Sequence, residues 1–328
     1  MIKYSLLAGI VTLFLTYLSG KIAIPLLRRL KAGQPILSYV ESHKNKSGTP
    51  TMGGLFFILP AVIIFFIIGG FKGRIALVSI SVTLAFLIVG FLDDFIKVKS
   101  KNNQGLKAYQ KIIFQSGIAL FSAIFAYKNN LTTVYLPFSK HSFDLGALSI
   151  PFIFLVFIAI TNSVNLTDGL DGLASWTSLI YLVFICVLII LQSKVSSLFY
   201  INTNEYYSLI LLIIIMISAI CGFLVFNSGK ASVFMGDTGS LALGGFIGSV
   251  SVFSLNSLFI PIIGVAFVFS SISVIIQVIS FKKRGKRVFL MTPFHHHLEL
   301  KGKTETQISY YYSLVTCIMG IISVIFYL

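Results

Sequence analysis

Five aspartates stand beside long apolar runs, where an unpaired carboxylate is costly. Asp93 and Asp94 are adjacent in Gly90-Phe91-Leu92-Asp93-Asp94-Phe95-Ile96-Lys97. Asp168 and Asp171 lie in Asn165-Leu166-Thr167-Asp168-Gly169-Leu170-Asp171-Gly172-Leu173, where Asn165, Asp168 and Asp171 recur at every third residue and so share one side of a helix or tight turn. Asp237 opens Asp237-Thr238-Gly239-Ser240 ahead of an apolar stretch, where the amides of a helix start favour a phosphate or a metal–phosphate pair. Hard carboxylate oxygens suit Mg²⁺, which takes one or two carboxylates together with substrate phosphates. The chemistry these residues point to is magnesium-dependent phosphoryl transfer. Pairing of Asp93-Asp94 with Lys97, an ordinary inter-helix turn at 165–173 and a plain helix cap at 237 are the simpler readings. None of them needs five carboxylates next to membrane-length runs.

Other polar blocks flank the same runs. Three of the five histidines are consecutive in Pro293-Phe294-His295-His296-His297-Leu298-Glu299. Consecutive imidazoles point apart and chelate one zinc poorly, so donation to phosphate oxygens or acid–base work suits them better. Lys46-Ser47-Gly48-Thr49-Pro50-Thr51-Met52-Gly53-Gly54 offers a lysine and hydroxyls to an anion, but the order of Gly and Lys is not that of a P-loop. Asn227 ends an apolar run, and Phe234 fits either a base stacker or an interfacial anchor.

These residues must be positioned by membrane helices. The 328 residues are 56% hydrophobic and only 11% charged, too little charge to cover a soluble surface of this size. Mean hydropathy is +0.95. Ten runs each reach the length needed to cross roughly 30 Å of hydrocarbon: 4–27, 52–70, 75–92, 110–127, 148–164, 174–192, 207–226, 238–254, 257–280 and 308–327. The expected fold is all-α, a single polytopic domain over 1–328, with Asp93-Asp94 at the C-terminal end of the third span, against its macrodipole. The first run is too long for a signal-peptide core and reads as the first span. Cys186, Cys221 and Cys317 lie inside apolar runs without metal spacing and read as inert thiols. Segment 128–147 is compatible with a small hairpin.

The net charge of +15 sits in loops and marks topology and anionic headgroups rather than nucleic acid. Eighteen Lys and Arg fall in one set of loops and six in the other, which makes the first set cytoplasmic and places both termini outside. Eight of the ten acids lie on that cytoplasmic side, and their one-sidedness points to a site there. A transporter would be expected to carry charges near the bilayer midplane and to show inverted repeats. Neither is visible here.

Taken in order, Asp93-Asp94, the block 165–173 and Gly236–Ser240 resemble the polyprenyl-phosphate N-acetylhexosamine-1-phosphate transferases. The blocks Gly48–Gly54 and Pro293–Glu299 are similar to the phospho-N-acetylmuramoyl-pentapeptide-transferase family within that superfamily. The resemblance covers nearly the whole chain. It implies a ten-span bacterial plasma-membrane enzyme, commonly dimeric. It also implies transfer of phospho-MurNAc-pentapeptide from UDP-MurNAc-pentapeptide to undecaprenyl phosphate with Mg²⁺, giving lipid I and UMP for the cell wall. By the same resemblance Asp237 binds Mg²⁺ and Asp93 acts at the attacking group. Lys46, Thr51, Asn165, Asp168, Asp171, Asn227, Phe234, Gln277, His296 and His297 line the nucleotide-sugar cleft, with Phe234 stacking on uracil. Catalysis is expected from Asp93, Asp94, Asp237 and His296. Lys97, Lys101, His295 and His297 are expected to offset phosphate charge. The chain departs from the family in Leu106-Lys107-Ala108-Tyr109-Gln110-Lys111, where Tyr109 stands in place of an expected lysine and Lys107 is the candidate to supply that charge.

Overall fold

The computed structural model describes residues 2–29, 48–100, 104–139, 141–194 and 203–328. Ten helices occupy the ten apolar runs. They are α1 (Ile2–Arg29), α2 (Gly54–Ile67), α3 (Arg74–Ser100), α4 (Ala108–Lys128), α5 (Ser149–Thr167), α6 (Leu173–Lys194), α7 (Thr203–Asn227), α8 (Gly236–Phe253), α10 (Val265–Arg284) and α12 (Glu305–Tyr327). Two short helices interleave them, α9 (Ile260–Ile263) and α11 (Phe294–Leu300). Among the described residues, seven helices can cross a membrane by length and composition, and α2 is apolar but shorter.

The differences from the sequence expectation have physical causes. The run 257–280 is broken: a 3-10 turn (Ser257–Phe259) and α9 precede Gly264, where α10 begins. The fold is not purely helical, because Thr133–Tyr135 and Ser142–Asp144 pair antiparallel within segment 128–147. Helix α3 runs on to Ser100, so Asp93 and Asp94 lie inside it rather than at its end. The polar tail stays helical because Lys97 meets Asp93 at i,i+4 and because Lys97 and Lys99 complement the dipole of the last turn. The histidine block, expected as a loop, forms α11.

Helix α8 is the hub, with every residue from Thr238 to Phe253 buried. It packs against α3, α5 and α2. Small residues permit the close approach: Gly244 lies on Thr161, Gly245 on Phe86, and Gly248 on Phe157 and Ile160. At one end of the bundle the hairpin joins the 255 turn through the Tyr135 N–H to the Leu255 carbonyl (3.4 Å). At this same end the Glu205 carboxylate of α7 accepts the Arg74 and Ile75 N–H groups at the start of α3 (3.0 and 2.8 Å). The five aspartates lie toward the other end, where α3 and α5 finish and α8 begins.

Glu205 satisfies two otherwise unpaired donors of α3. Glu205→Ala is expected to cost about 1–2 kcal/mol, read as a lower unfolding temperature in detergent. An unchanged temperature would contradict the cap.

Candidate active site

Asp93 and Asp94 are buried, 2% and 1% exposed, because α3 presses on the first turn of α8. Gly90, one turn earlier, lies directly against the Asp237 carbonyl and leaves no room for a Cβ. Gly236 begins α8 at φ +70, a conformation that favours glycine, with the Asp94 carboxylate and the Thr51 hydroxyl where a Cβ would be. Asp237, in the first turn, does not cap its helix.

Its carboxylate is instead the meeting point of four helices. Oδ2 lies 2.9 Å from Lys97 Nζ of α3 and 2.6 Å from Lys111 Nζ of α4. Oδ1 accepts Asn165 Nδ2 of α5 at 2.7 Å, and Asn165 also donates to Ser240 Oγ at 2.8 Å. Lys97 continues to Asp93 Oδ2 (2.6 Å) and stands 3.9 Å from Asp94 Oδ1. The Leu106 N–H donates to Asp93 Oδ1 (2.9 Å). The Thr238 N–H and Oγ1–H both donate to Asp94 Oδ2 (2.9 and 2.7 Å).

One oxygen each from Asp93, Asp94 and Asp237 fall within 4.8 Å of one another. Asp94 Oδ1 is buried and has no hydrogen-bond partner among the described residues. Three carboxylates against two ammoniums leave one net negative charge. An all-oxygen set with a spare buried acceptor fits a hard dication such as Mg²⁺.

A second group surrounds the turn after α5. Asp168 follows the last residue of that helix and is half-buried. Burial, then the negative charges of Asp237, Asp94 and Asp171, push its carboxyl well above the usual range. Asp171 acts as a bracket. Its Oδ2 accepts the Ala231 N–H (2.9 Å), its own N–H donates to Glu305 Oε2 of α12 (2.9 Å), and Ser309 Oγ donates to its carbonyl (3.3 Å). Asn227 accepts from Ser175 Oγ (3.0 Å) and donates to the Val233 carbonyl (3.1 Å). Half-buried Phe234 is fixed through its backbone, N–H to the Pro50 carbonyl (2.8 Å) and carbonyl from the Gly53 N–H (2.9 Å). That pairing seats Thr51, 1% exposed, beside Gly236.

The histidines divide. His295 is fully buried against Gly169 and Tyr312, which docks α11 on the Asp168–Asp171 turn. His296 Nδ1 lies 3.0 Å from Glu299 Oε2. His297 Nδ1 accepts the Leu290 N–H at 3.1 Å, and its ring stacks on Phe294. Burial and then the Lys301 ammonium hold His297 below the ordinary imidazole value, which agrees with a neutral ring accepting at Nδ1. Gln277 holds the α10–α11 connection, accepting from the Val288 and Phe289 N–H groups (2.9 and 3.0 Å) and donating to the Phe289 carbonyl (3.0 Å). Lys46 and Lys101 lie outside the described residues.

Lys111 is the site lysine that the sequence motif undervalued. Tyr109 is 59% exposed, and Lys107 is an exposed N-cap whose N–H meets Gln110 Oε1 (3.0 Å). Lys111 lies one turn inside α4, on the face that reaches the Asp237 carboxylate. Ser240 stood in a motif and Glu305 among the acids of one side, but neither their partners nor those of Ser175 were signalled, since these contacts join residues 134, 75 and 52 positions apart for Glu305, Ser240 and Ser175.

Two expectations follow. Mg²⁺ should raise the unfolding temperature of the purified protein, and Asp237→Asn should abolish that rise; an equal rise in the variant would remove Asp237 from the cation site. For Asp168 the raised folded-state pKa means that stability falls as pH climbs from about 4 through the folded value. In EDTA, Asp168→Asn should therefore be more stable than the parent at pH 7, with the gain vanishing near pH 4. A variant less stable at pH 7 would contradict the sign.

Residues 75–255 match the family model for glycosyl transferase family 4, and residues 46–58 match phospho-N-acetylmuramoyl-pentapeptide-transferase signature 1. Curated proteins bearing the latter name are similar along their whole length. The one from Clostridium novyi (strain NT) is 42% identical over 98% of this chain and 96% of its own. That from Clostridium kluyveri (strain ATCC 8527) is 41% identical over 96% and 97%. That from Thermoanaerobacter sp. (strain X514) is 41% identical over 98% of each. With the family model and the signature both matched and identity of 41–42% sustained from end to end, the chain belongs to the phospho-N-acetylmuramoyl-pentapeptide-transferase family.

Proposed function

We propose that this protein transfers phospho-MurNAc-pentapeptide from UDP-MurNAc-pentapeptide to undecaprenyl phosphate. The products are lipid I and UMP, for peptidoglycan synthesis at the bacterial plasma membrane. The observation that carries the chemistry is the Asp237 carboxylate held by Lys97, Lys111 and Asn165 beside Asp93 and Asp94. Family membership supports the choice of substrates. The excess of Lys and Arg in the loops at the aspartate end supports a site facing the cytoplasm.

In the balanced reaction, an oxygen of the lipid phosphate attacks the phosphorus that carries the sugar. A new P–O bond forms as the bond to the UMP phosphate breaks, and UMP leaves with the electron pair. Mg²⁺, held by Asp237 with Asp94 and Asp93, would offset charge on the diphosphate and the leaving oxygen. The rest falls to the chain. Lys97 and Lys111 bring two ammoniums to the point where two anions must meet. Asn165, itself held by Ser240, fixes the rotation of Asp237. Asp93 is already paired with Lys97 and the Leu106 N–H, so its work is to hold that lysine in place. A phosphate monoester has a second pKa of about 6, so the attacking group is largely ionised near neutral pH without a strong base. Both oxygens of Asp93 and of Asp237 are engaged by donors, and the spare oxygen of Asp94 is reserved for the cation, which favours direct attack over a covalent aspartyl intermediate. Asp168, Asp171, Asn227 and Phe234 form the wall for the nucleotide sugar, and the α11 histidines close it. A mouth at the helix ends lets a water-soluble nucleotide meet a lipid whose tail stays in the bilayer.

The test is UMP release by purified protein given undecaprenyl phosphate, Mg²⁺ and either UDP-MurNAc-pentapeptide or UDP-GlcNAc. Release only with the first is expected, and release only with the second would overturn the assignment. Lys111→Met is expected to lower kcat by about 10²–10³, the range for losing one charge-stabilising donor. Near-normal turnover would exclude Lys111 from the reaction.

A further inference from the structure

Helices α4 and α5 touch through a polar pair that the reaction above does not use. Asn162 Nδ2 donates to Gln115 Oε1 at 2.7 Å and to the Ile158 carbonyl at 2.8 Å. Gln115 is fully buried, and its Nε2 has no hydrogen-bond partner among the described residues. An orphaned buried donor costs about 1–3 kcal/mol, whereas replacing both partners of such a pair by apolar groups is close to neutral or stabilising. Stability alone therefore does not account for the pair.

Its place in the bundle does. Gln115 follows Lys111 by four residues on α4, and Asn162 precedes Asn165 by three on α5, so each shares a helix face with a residue that grips Asp237. Lys111 takes Oδ2 at 2.6 Å and Asn165 takes Oδ1 at 2.7 Å. Besides their apolar packing, the two helices thus have two polar links, one through Asp237 and another, about 4.5–6 Å along their axes, by the direct amide pair. Apolar packing holds α4 and α5 together but tolerates small shifts, so without the directional second link Lys111 and Asn165 would lose their common register on Asp237. A shift of about 1 Å at such a centre can cost about a hundredfold in rate.

We propose that Gln115 and Asn162 are positioning residues: their amide pair sets the register of α4 against α5 so that Lys111 and Asn165 hold the two oxygens of Asp237 together. The inference rests on the transferase reading of the site. It is tested with the full chain in detergent or nanodiscs, by UMP release and thermal unfolding. One variant is the double Gln115→Leu/Asn162→Leu, and the other is the exchange Gln115→Asn/Asn162→Gln, which keeps one amide of each length. The apolar double variant is expected to unfold at the parent temperature or above, with kcat at least about tenfold lower and KM for the nucleotide sugar within about twofold. The exchanged pair should recover most of the rate. Parental kcat in the apolar variant, a rate loss that merely follows a lower unfolding temperature, or an exchanged pair no faster than the apolar one would each overturn the proposal. If the parent itself releases no UMP, the transferase reading has failed. The register is then read from the Mg²⁺-induced rise in unfolding temperature, expected to shrink in the apolar variant; an undiminished rise would overturn the positioning role.

Discussion

A carboxylate shared by two ammoniums inside an apolar bundle is the interaction on which the rest of this structure depends. Asp237 Oδ2 serves both Lys97 and Lys111, and Oδ1 is held by Asn165. Any one of these groups, left alone among membrane helices, would be costly. Together they nearly neutralise one another, and the remaining negative charge and the spare oxygen of Asp94 are what a dication meets. The same pairing that makes burial tolerable also places two ammoniums side by side on one carboxylate, and on the proposed reaction these are the cations that two phosphates would meet.

Packing serves this cluster. The hub helix α8 can bring Asp237 between α3, α4 and α5 only because glycines remove side chains at the contacts, Gly90 on the Asp237 carbonyl above all. Around the cluster the polar side chains mostly hold backbone. Asp171 ties the turn after α5 to the 228–232 segment and to α12, Asn227 ties α7 to Val233, and Gln277 ties α10 to the approach of α11. Charge chemistry sits at the centre and bracing at the rim. The surroundings of the cluster are therefore braced by hydrogen bonds within the protein.

Much of this was legible in the sequence. The ten helical segments, the hairpin in 128–147 and the convergence of distant aspartates follow from apolar run length, turn residues and the cost of lone carboxylates. The extent of α3 was not legible from hydropathy, because four charged residues interrupt the segment from Asp93 to Ser100, which is kept helical by its own ion pair. The break at Gly264 was hidden in a continuous apolar run. Lys111 was outweighed by the substitution at Tyr109 beside it, although Lys111 is the one that reaches Asp237. The brackets made by Glu305, Ser175 and Gln115 depend on which helices become neighbours, and no local pattern encodes that. His295, expected at phosphate, is a buried wedge against Gly169, because a small residue there leaves room for a ring.

The central claim is that Asp93, Asp94 and Asp237 form one divalent-cation site whose charge Lys97 and Lys111 offset. Its most direct test is an electron paramagnetic resonance titration with Mn²⁺ in place of Mg²⁺, comparing the parent with Asp94→Asn. The account predicts one tightly bound Mn²⁺ per chain in the parent, displaced by Mg²⁺, and at least about tenfold weaker binding in the variant, since a charged buried ligand is removed. Equal Mn²⁺ affinity in the two proteins would contradict it.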